Sequence, residues 1–290
     1  RLAEQLRESG QKPAAADEYR KCMEYDSRWA YLARYQLAMA DLEAGQPDAA
    51  EAGLVFNLKL LRFEREPEAK AQSLFALGNL LYQKREFSHV VRYLQDAVPA
   101  LKDEPKYKDA PETTRARFQL ADSYRQMALL ESRSLLSDPK MRKEDKEHFK
   151  KEHAKRLKQA AEEFTALEAY LDSPAGKDHL TADLRLQVPF IAAKCWFALG
   201  GKDNIERSLG LYEKLIERHS GGLARLDALG GAVSCHDALG QETKVRQRLL
   251  QVKDALDKPG IPAEDRKAWE DWEKLATSRL KKGVAELKEG

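Results

Sequence analysis

Apolar residues recur along this chain three or four positions apart, in short blocks separated by polar turns. The clearest stretch carries Leu74, Leu77, Gly78 and Leu81, then Phe87, Val90, Leu94 and Ala97. Each block marks one face of a helix, and the polar gap between them predicts a turn joining two neighbouring helices. The same spacing predicts helix pairs at about 28–44 and 47–62, 67–84 and 87–102, 111–136 and 140–172, 178–199 and 203–219, and 222–239 and 242–257. Residues 1–26 read as the end of an earlier pair, and 262–287 as a last helix carrying Trp269 and Trp272 that caps the final pair. Pro67, Pro111, Pro139 and Pro262 fall where a first helical turn tolerates proline, with Asp138 as the N-cap before Pro139. Pro189 lies inside an apolar helical pattern and predicts a kink or break just before it.

The pattern also repeats on a longer scale. Cys195-Trp-Phe-Ala-Leu-Gly200 is echoed forty residues later by Cys235-His-Asp-Ala-Leu-Gly240, and Ala192 and Ala232 keep the same offset. Helix-end glycines recur as Gly10, Gly45, Gly200 and Gly240, with Arg85 where another would fall. A period of about 34–47 residues with two helices in each unit is the range of helical solenoids. Each unit has an apolar face that it cannot bury alone, so neighbours stack.

Leu37-Ala38 with Gly45 and Ala50, the set from Leu74 to Ala97, and Leu120-Ala121 with Tyr124 resemble tetratricopeptide repeats. Gly10, Ala15, Tyr19 and Cys22 fit the end of a further copy, and the resemblance covers roughly residues 1–257. Few copies carry the family's large residue at the start of the first helix, and the repeats drift toward forty residues. The resemblance implies an all-α fold: one right-handed α-α superhelix over residues 1–290, with one extended helical hairpin and a C-terminal capping helix. It implies a scaffold of bacterial type that binds a peptide or helix of another protein and carries out no catalysis. In this family the first helices line the concave surface. The positions facing inward are then Tyr35, Phe75, Phe118 and Phe190, followed on the same face by Leu42, Tyr82, Arg125 and Phe197. Gln72, Asn79, Gln83, Arg115 and Arg125 form the rim, and Arg115, Arg125 and Lys194 suit a carboxylate. Aromatic rings at such positions can meet a ligand or pack between helices, and the sequence leaves both open.

The third pair is longer than its neighbours, so both of its helices should overrun the stack as a projecting hairpin. Residues 140–158 carry nine Lys or Arg against four acids. That segment reads either as a docking spur, for a partner or for nucleic acid, or as a solvated arm with pairs such as Glu147–Lys151 and Glu152–Arg156.

Composition narrows the function further. Lys and Arg number 50 against 48 acids, so no global field favours nucleic acid or an anionic membrane. No apolar run reaches the ~18 residues of a membrane span. Arg1 in place of an initiator residue suggests the soluble part of a larger polypeptide. The likeness of residues 116–124 to bacterial envelope repeat proteins opens an assembly role outside the cytoplasm. The compartment, cytoplasm or periplasm, stays open. Cys22, Cys195 and Cys235 are odd in number and widely spaced, which fits neither a disulfide framework nor a zinc site. Gly200-Gly-Lys-Asp203 lacks P-loop spacing. His148 and His153 lie about 140° apart on a helix, so they do not share a metal-binding face. No cofactor, metal or small-molecule substrate is expected.

Overall fold

A computed structural model of the chain describes all residues except 26, 62–65, 138–139, 259 and 290, with the side chains of 136–137 and 279–289 left aside. Among the described residues there are fourteen helices and no strand. The architecture is all-α, built of successive helix pairs. In chain order the helices are α1 (Leu2–Glu8), α2 (Lys12–Met23), α3 (Arg28–Glu43), α4 (Pro47–Leu60), α5 (Pro67–Gln83), α6 (Phe87–Leu94) and α7 (Ala97–Asp103). There follow α8 (Pro111–Ser137), α9 (Lys143–Leu171), α10 (Ala182–Leu199), α11 (Lys202–Arg218), α12 (Gly222–Ala238), α13 (Glu242–Leu256) and α14 (Ala263–Glu289).

The chain forms two compact units, one of residues Arg1–Met127 with Ala175–His179, the other of Ala128–Pro174 with Leu180–Gly290.

The turns explain the recurring glycines. At Gly45 the backbone adopts φ +73°, its N–H donates to the Leu42 carbonyl, and the Gln46 N–H donates to Asp41. This paired arrangement is the Schellman motif, which needs a left-handed residue just past the helix. Gly10 and Gly240 repeat it, and so does Arg85, the one non-glycine residue with positive φ among those described, at +60°. Gly200 differs: its φ is +67° but its ψ is −174°, and it leads into a second left-handed glycine, Gly201.

Small residues sit where the resemblance placed them for close packing. Ala38 and Ala121 are buried, and a Cβ on Gly78 would stand only 3.0 Å from Leu94 of α6. In the first unit Leu54, Leu61, Leu77, Leu81, Val90 and Leu94 are fully buried between the pairs. Asn57 of α4 lies among them, completely buried, and its amide donates to the Tyr31 carbonyl of α3 and to Ser73 Oγ of α5. In the second unit Cys195 and Cys235 are both buried, and Cys235 Sγ donates to Ser208 Oγ at 3.4 Å. The forty-residue echo is therefore a packing position on first helices α10 and α12. His236, its sequence neighbour, bonds Gln241 instead.

Four expectations about helix ends are corrected. Residues 87–102 do not form one helix: α6 ends at Leu94 and α7 starts at Ala97. Pro99 is the cause, since it lacks an N–H and its ring clashes with the carbonyl four residues back, at Gln95. Conversely, α10 runs through Pro189 without a break. Pro189 is buried among Val188, Phe190 and Ala192, and packing against α9 and α11 holds the helix across the missing hydrogen bond. The return helix of the long pair starts at Lys143 rather than 140, while the proposed Asp138–Pro139 cap lies outside the described residues. Helix α10 starts at Ala182, where Thr181 caps it by accepting from the Leu184 N–H.

Candidate functional site

Helices α3, α5 and α8 carry most of the sequence-selected side chains: Tyr35 on α3, Phe75, Asn79 and Tyr82 on α5, and Arg115, Phe118 and Arg125 on α8. Helices α5 and α8 run side by side in register. Gln119 Nε2 donates to Asn79 Oδ1 at 3.0 Å, and the Tyr82 hydroxyl donates to Asp122 Oδ2 at 2.8 Å, each pair forty residues apart. Two bonds at one fixed offset define a ladder across the two helices.

Asp122 is the centre of this ladder. It is 4% exposed, so its charge needs several donors. Arg125 supplies Nε at 2.7 Å and Nη2 at 2.6 Å to Oδ1, and Gln126 adds a longer bond at 3.3 Å to Oδ2. Burial, then the Asp122 charge, pushes the Tyr82 phenol well above its ordinary value. Tyr82 therefore stays a neutral donor at any physiological pH. Because Asp122 takes one edge of the Arg125 guanidinium, the remaining N–H groups of Arg125 are oriented. The side chain keeps 29% of its exposure, which suits it to an incoming carboxylate.

The aromatic positions divide into two kinds. Phe75 is half-buried and meets Tyr107 edge-on, with ring centroids 6.2 Å apart, over Ala71 and Leu101. Tyr35 is half-buried as well, and burial raises its phenol pKa, opposed by the Arg7 charge and reinforced by Glu112. Tyr82 packs edge-on against Phe87 at 6.0 Å. Phe118, by contrast, is 7% exposed and belongs to the core. Arg115 is exposed on α8, Gln72 and Leu42 are half-buried, and Gln83 is exposed.

The second unit carries the remaining positions on α10. Phe190 is 9% exposed and leans on Tyr212 of α11 at 6.5 Å. Phe197 is half-buried, while Lys194 is exposed and its charge acts on Asp227 of α12.

The basic segment is a separate matter. No residue from 140 to 156 is buried, and α9 joins the core only from Leu157 onward. Several of its cations are met by carboxylates, among them Arg142 by Asp145, Lys150 by Glu147, Lys158 by Glu162, and Arg156 by Glu131. Glu147 thus pairs with Lys150 rather than Lys151, and Glu152 lies 4.0 Å from Arg156. His153 donates through Nδ1 to the Ala128 carbonyl at 2.8 Å, a structural bond. Among the described residues no group of three or more His, Cys, Asp or Glu could hold a metal ion, and no helix is long and apolar enough to cross a membrane.

Sequence reasoning selected Asn79, Tyr82 and Arg125 but missed Gln119 and Asp122, the groups that fix them. Their forty-residue offset, already visible in the Cys195/Cys235 echo, was the available signal. Aligning copies on Gly78 and Ala121 gives an offset of 43 instead, which pairs Phe75 with Phe118 rather than Asn79 with Gln119.

No protein-family model and no curated protein matches the chain. Among solved structures it is similar to nearly identical TPR-like repeats of a kinesin light chain from Podosopora anserina. The identity is 16% and the TM-score 0.43, over 80% of this chain and 97% of that one. A single-residue variant of that protein gives 16% and 0.42, over 77% and 92%. The assembly chaperone of RpL4, residues 1–338, gives 15% and 0.27, over 98% and 97%. Values this low add nothing to what the helix pairs themselves show.

Proposed function

We propose that the chain is a protein-interaction scaffold, without catalysis of its own, that holds an extended segment of a partner protein on the α3–α5–α8 face of the first unit. The observation that carries this reading is the oriented Arg125. A buried carboxylate fixes one edge of its guanidinium while the side chain keeps part of its exposure, on the helix paired with the one that carries the half-buried Phe75. Such preorganisation lowers the ordering cost of binding, and aromatic and Arg side chains dominate interface hot spots. The Asn79–Gln119 pair offers amide groups of the kind that recognise a peptide main chain. Tyr35, Tyr82 and Arg115 extend this face. Phe118 supports it from beneath, and Phe190, Lys194 and Phe197 form a second, smaller face on the other unit.

The partner segment on this reading is apolar with an acidic residue. The basic segment 140–158 supports a nucleic-acid role less well, because carboxylates already neutralise several of its cations.

A test follows from the separation of face and core. Phe75→Ala with Arg125→Ala should abolish co-purification of a specific partner while helicity and melting stay unchanged. Lys151→Glu with Lys155→Glu should leave that partner bound. Retention by the first variant and loss by the second would overturn the assignment in favour of the basic segment.

A further inference from the structure

Two bonds fix how α5 and α8 lie: Asn79 with Gln119 and Tyr82 with Asp122, each joining residues forty apart. The helices therefore run in the same direction at a constant register. Each bond also uses part of a side chain and so determines what remains of it. Asn79 is half-buried and accepts from Gln119 through Oδ1, which leaves its Nδ2 without a hydrogen-bond partner among the described residues. Arg125 gives Nε and Nη2 to Asp122 Oδ1, which leaves Nη1. Both remainders are donors, so a ligand that meets them supplies an acceptor at each place.

The spacing of these places sets the form of the ligand. Phe75, half-buried against Tyr107, lies four residues before Asn79 on α5, and Arg125 lies six residues after Gln119 on α8. Along the common axis these steps are ~6 Å and ~9 Å, at the helical rise of ~1.5 Å per residue. An extended chain covers that ~15 Å in about five residues, and it presents unbonded main-chain carbonyls, one of which suits Asn79 Nδ2. A helical ligand needs about ten residues for the same length, and its interior carbonyls are already bonded within the helix. Arg115 is the rival cation, since the offset of forty sets it level with Phe75. It is exposed and has no ion-pair partner among the described residues, so a ligand has to order it, whereas Asp122 has already ordered Arg125.

We infer that the partner's segment is bound extended along the α5–α8 pair. An apolar side chain meets Phe75, a main-chain carbonyl accepts from Asn79 Nδ2, and an aspartate or glutamate about five positions from the apolar residue pairs with Arg125. This rests on the assignment of α3, α5 and α8 to a partner's segment.

Synthetic peptides of roughly twelve residues, with one Leu and one Glu in a Ser/Thr background, test it by fluorescence anisotropy against the full chain. Leu and Glu are set one, five or nine positions apart, in both orders, and capped ends leave the Glu side chain as the only anion. The better order at five should bind about tenfold tighter than either order at one or nine, the size of one charge-assisted hydrogen bond. Arg125→Ala should reduce it to the level of the others. Asn79→Asp, which still accepts from Gln119 but has no donor, should weaken it by a similar factor. An unchanged circular dichroism spectrum verifies the fold of both variants. Tightest binding at a separation of one, lost with Arg115→Ala, overturns the inference in favour of Arg115. Equal affinities at all separations, or no binding of any peptide up to about 1 mM, overturn it too. Failure of the α3–α5–α8 assignment itself reads differently: Phe75→Ala with Arg125→Ala would then leave the partner bound. Loss of the partner from that variant, with peptides indifferent to separation, rejects the spacing alone.

Discussion

Single residues decide how these helices stop. Arg85 does the work of a glycine at φ +60°, a conformation that costs an L-residue roughly 1–2 kcal/mol. Arg85→Gly removes that strain and loses part of the gain to the greater freedom of the unfolded chain. A net stabilisation of about 0.5–1 kcal/mol is expected, read as a rise in the denaturant midpoint of the first unit. A second residue sets a pH response. Burial lowers the pKa of His219, the Arg218 charge adds to this, and its Nε2 is buried without a hydrogen-bond partner. The folded state therefore favours the neutral ring, and below about pH 6.5 the unfolded chain binds the proton more readily. Stability from this residue is complete above that pH and falls as the pH drops toward the lower folded value. Unfolding measured between about pH 7 and pH 5 should show a smaller loss for His219→Gln than for the wild type. An equal loss in both would assign the pH response to other groups. Asn57 belongs at this scale too. Nothing in the apolar spacing marks it, because a polar residue at a core position reads as solvent-facing until its partners, Tyr31 and Ser73, are placed around it.

At the scale of elements, spacing was a reliable guide to where helices run and a poorer one to how they are interrupted. The starts at Arg28, Pro47, Pro67, Phe87 and Pro111 all coincide with the apolar register and its prolines. Two prolines mark where the helix bounds differ from that register: Pro189, which was expected to break its helix, and Pro99, which the spacing did not single out. Pro99 breaks a helix near its exposed end, whereas Pro189 sits in a well-covered helix that continues through it. Close approach between elements was legible only in part. Gly78 was recognised as a packing glycine, but Gly230 and Gly231 were not, since two glycines inside a helix read as a weak point. The structure fills them with rings: a Cβ on Gly231 would stand 2.3 Å from the Tyr212 ring, and one on Gly230 would stand 2.6 Å from Trp269. Gly231→Ala should therefore destabilise the second unit by about 1–3 kcal/mol in spite of alanine's better helix propensity. A double-mutant cycle with Tyr212→Ala should recover most of that loss; additive losses would mean that the clash is not the cause.

For the whole molecule, the all-α class and the repeating pair were legible because both follow from periodicity, which survives in a single sequence. The candidate face was legible only as a set of positions. Tyr35, Phe75, Asn79, Tyr82 and Arg125 were selected by register, yet register could not tell a half-buried Phe75 from a core Phe118. That distinction depends on which neighbour covers each ring, and Asp122, which orients Arg125, became visible only once α5 and α8 were paired. Asp122→Asn follows from this arrangement. It should weaken partner binding while leaving Phe75 in place, because an amide cannot accept as a carboxylate does from Arg125. Binding unchanged in a folded Asp122→Asn chain would show that Arg125 needs no orienting group.

The glycine pair of α12 has one more consequence. Tyr212 comes from the helix before α12, and Trp269 from a helix beyond α13, yet both rings rest on adjacent backbone positions of one helix. Trp269 in turn meets Trp272 edge-on at 5.0 Å, and Trp272 packs on the cluster of Val233, Val245 and Leu249. The last helix is thus keyed by shape to a single register and not held by general greasiness. Moving its tryptophans one position along the sequence would keep its hydrophobicity but leave Gly230 facing the wrong side chain. Evolution or design can replace this helix only with another that brings a flat ring to the same spot.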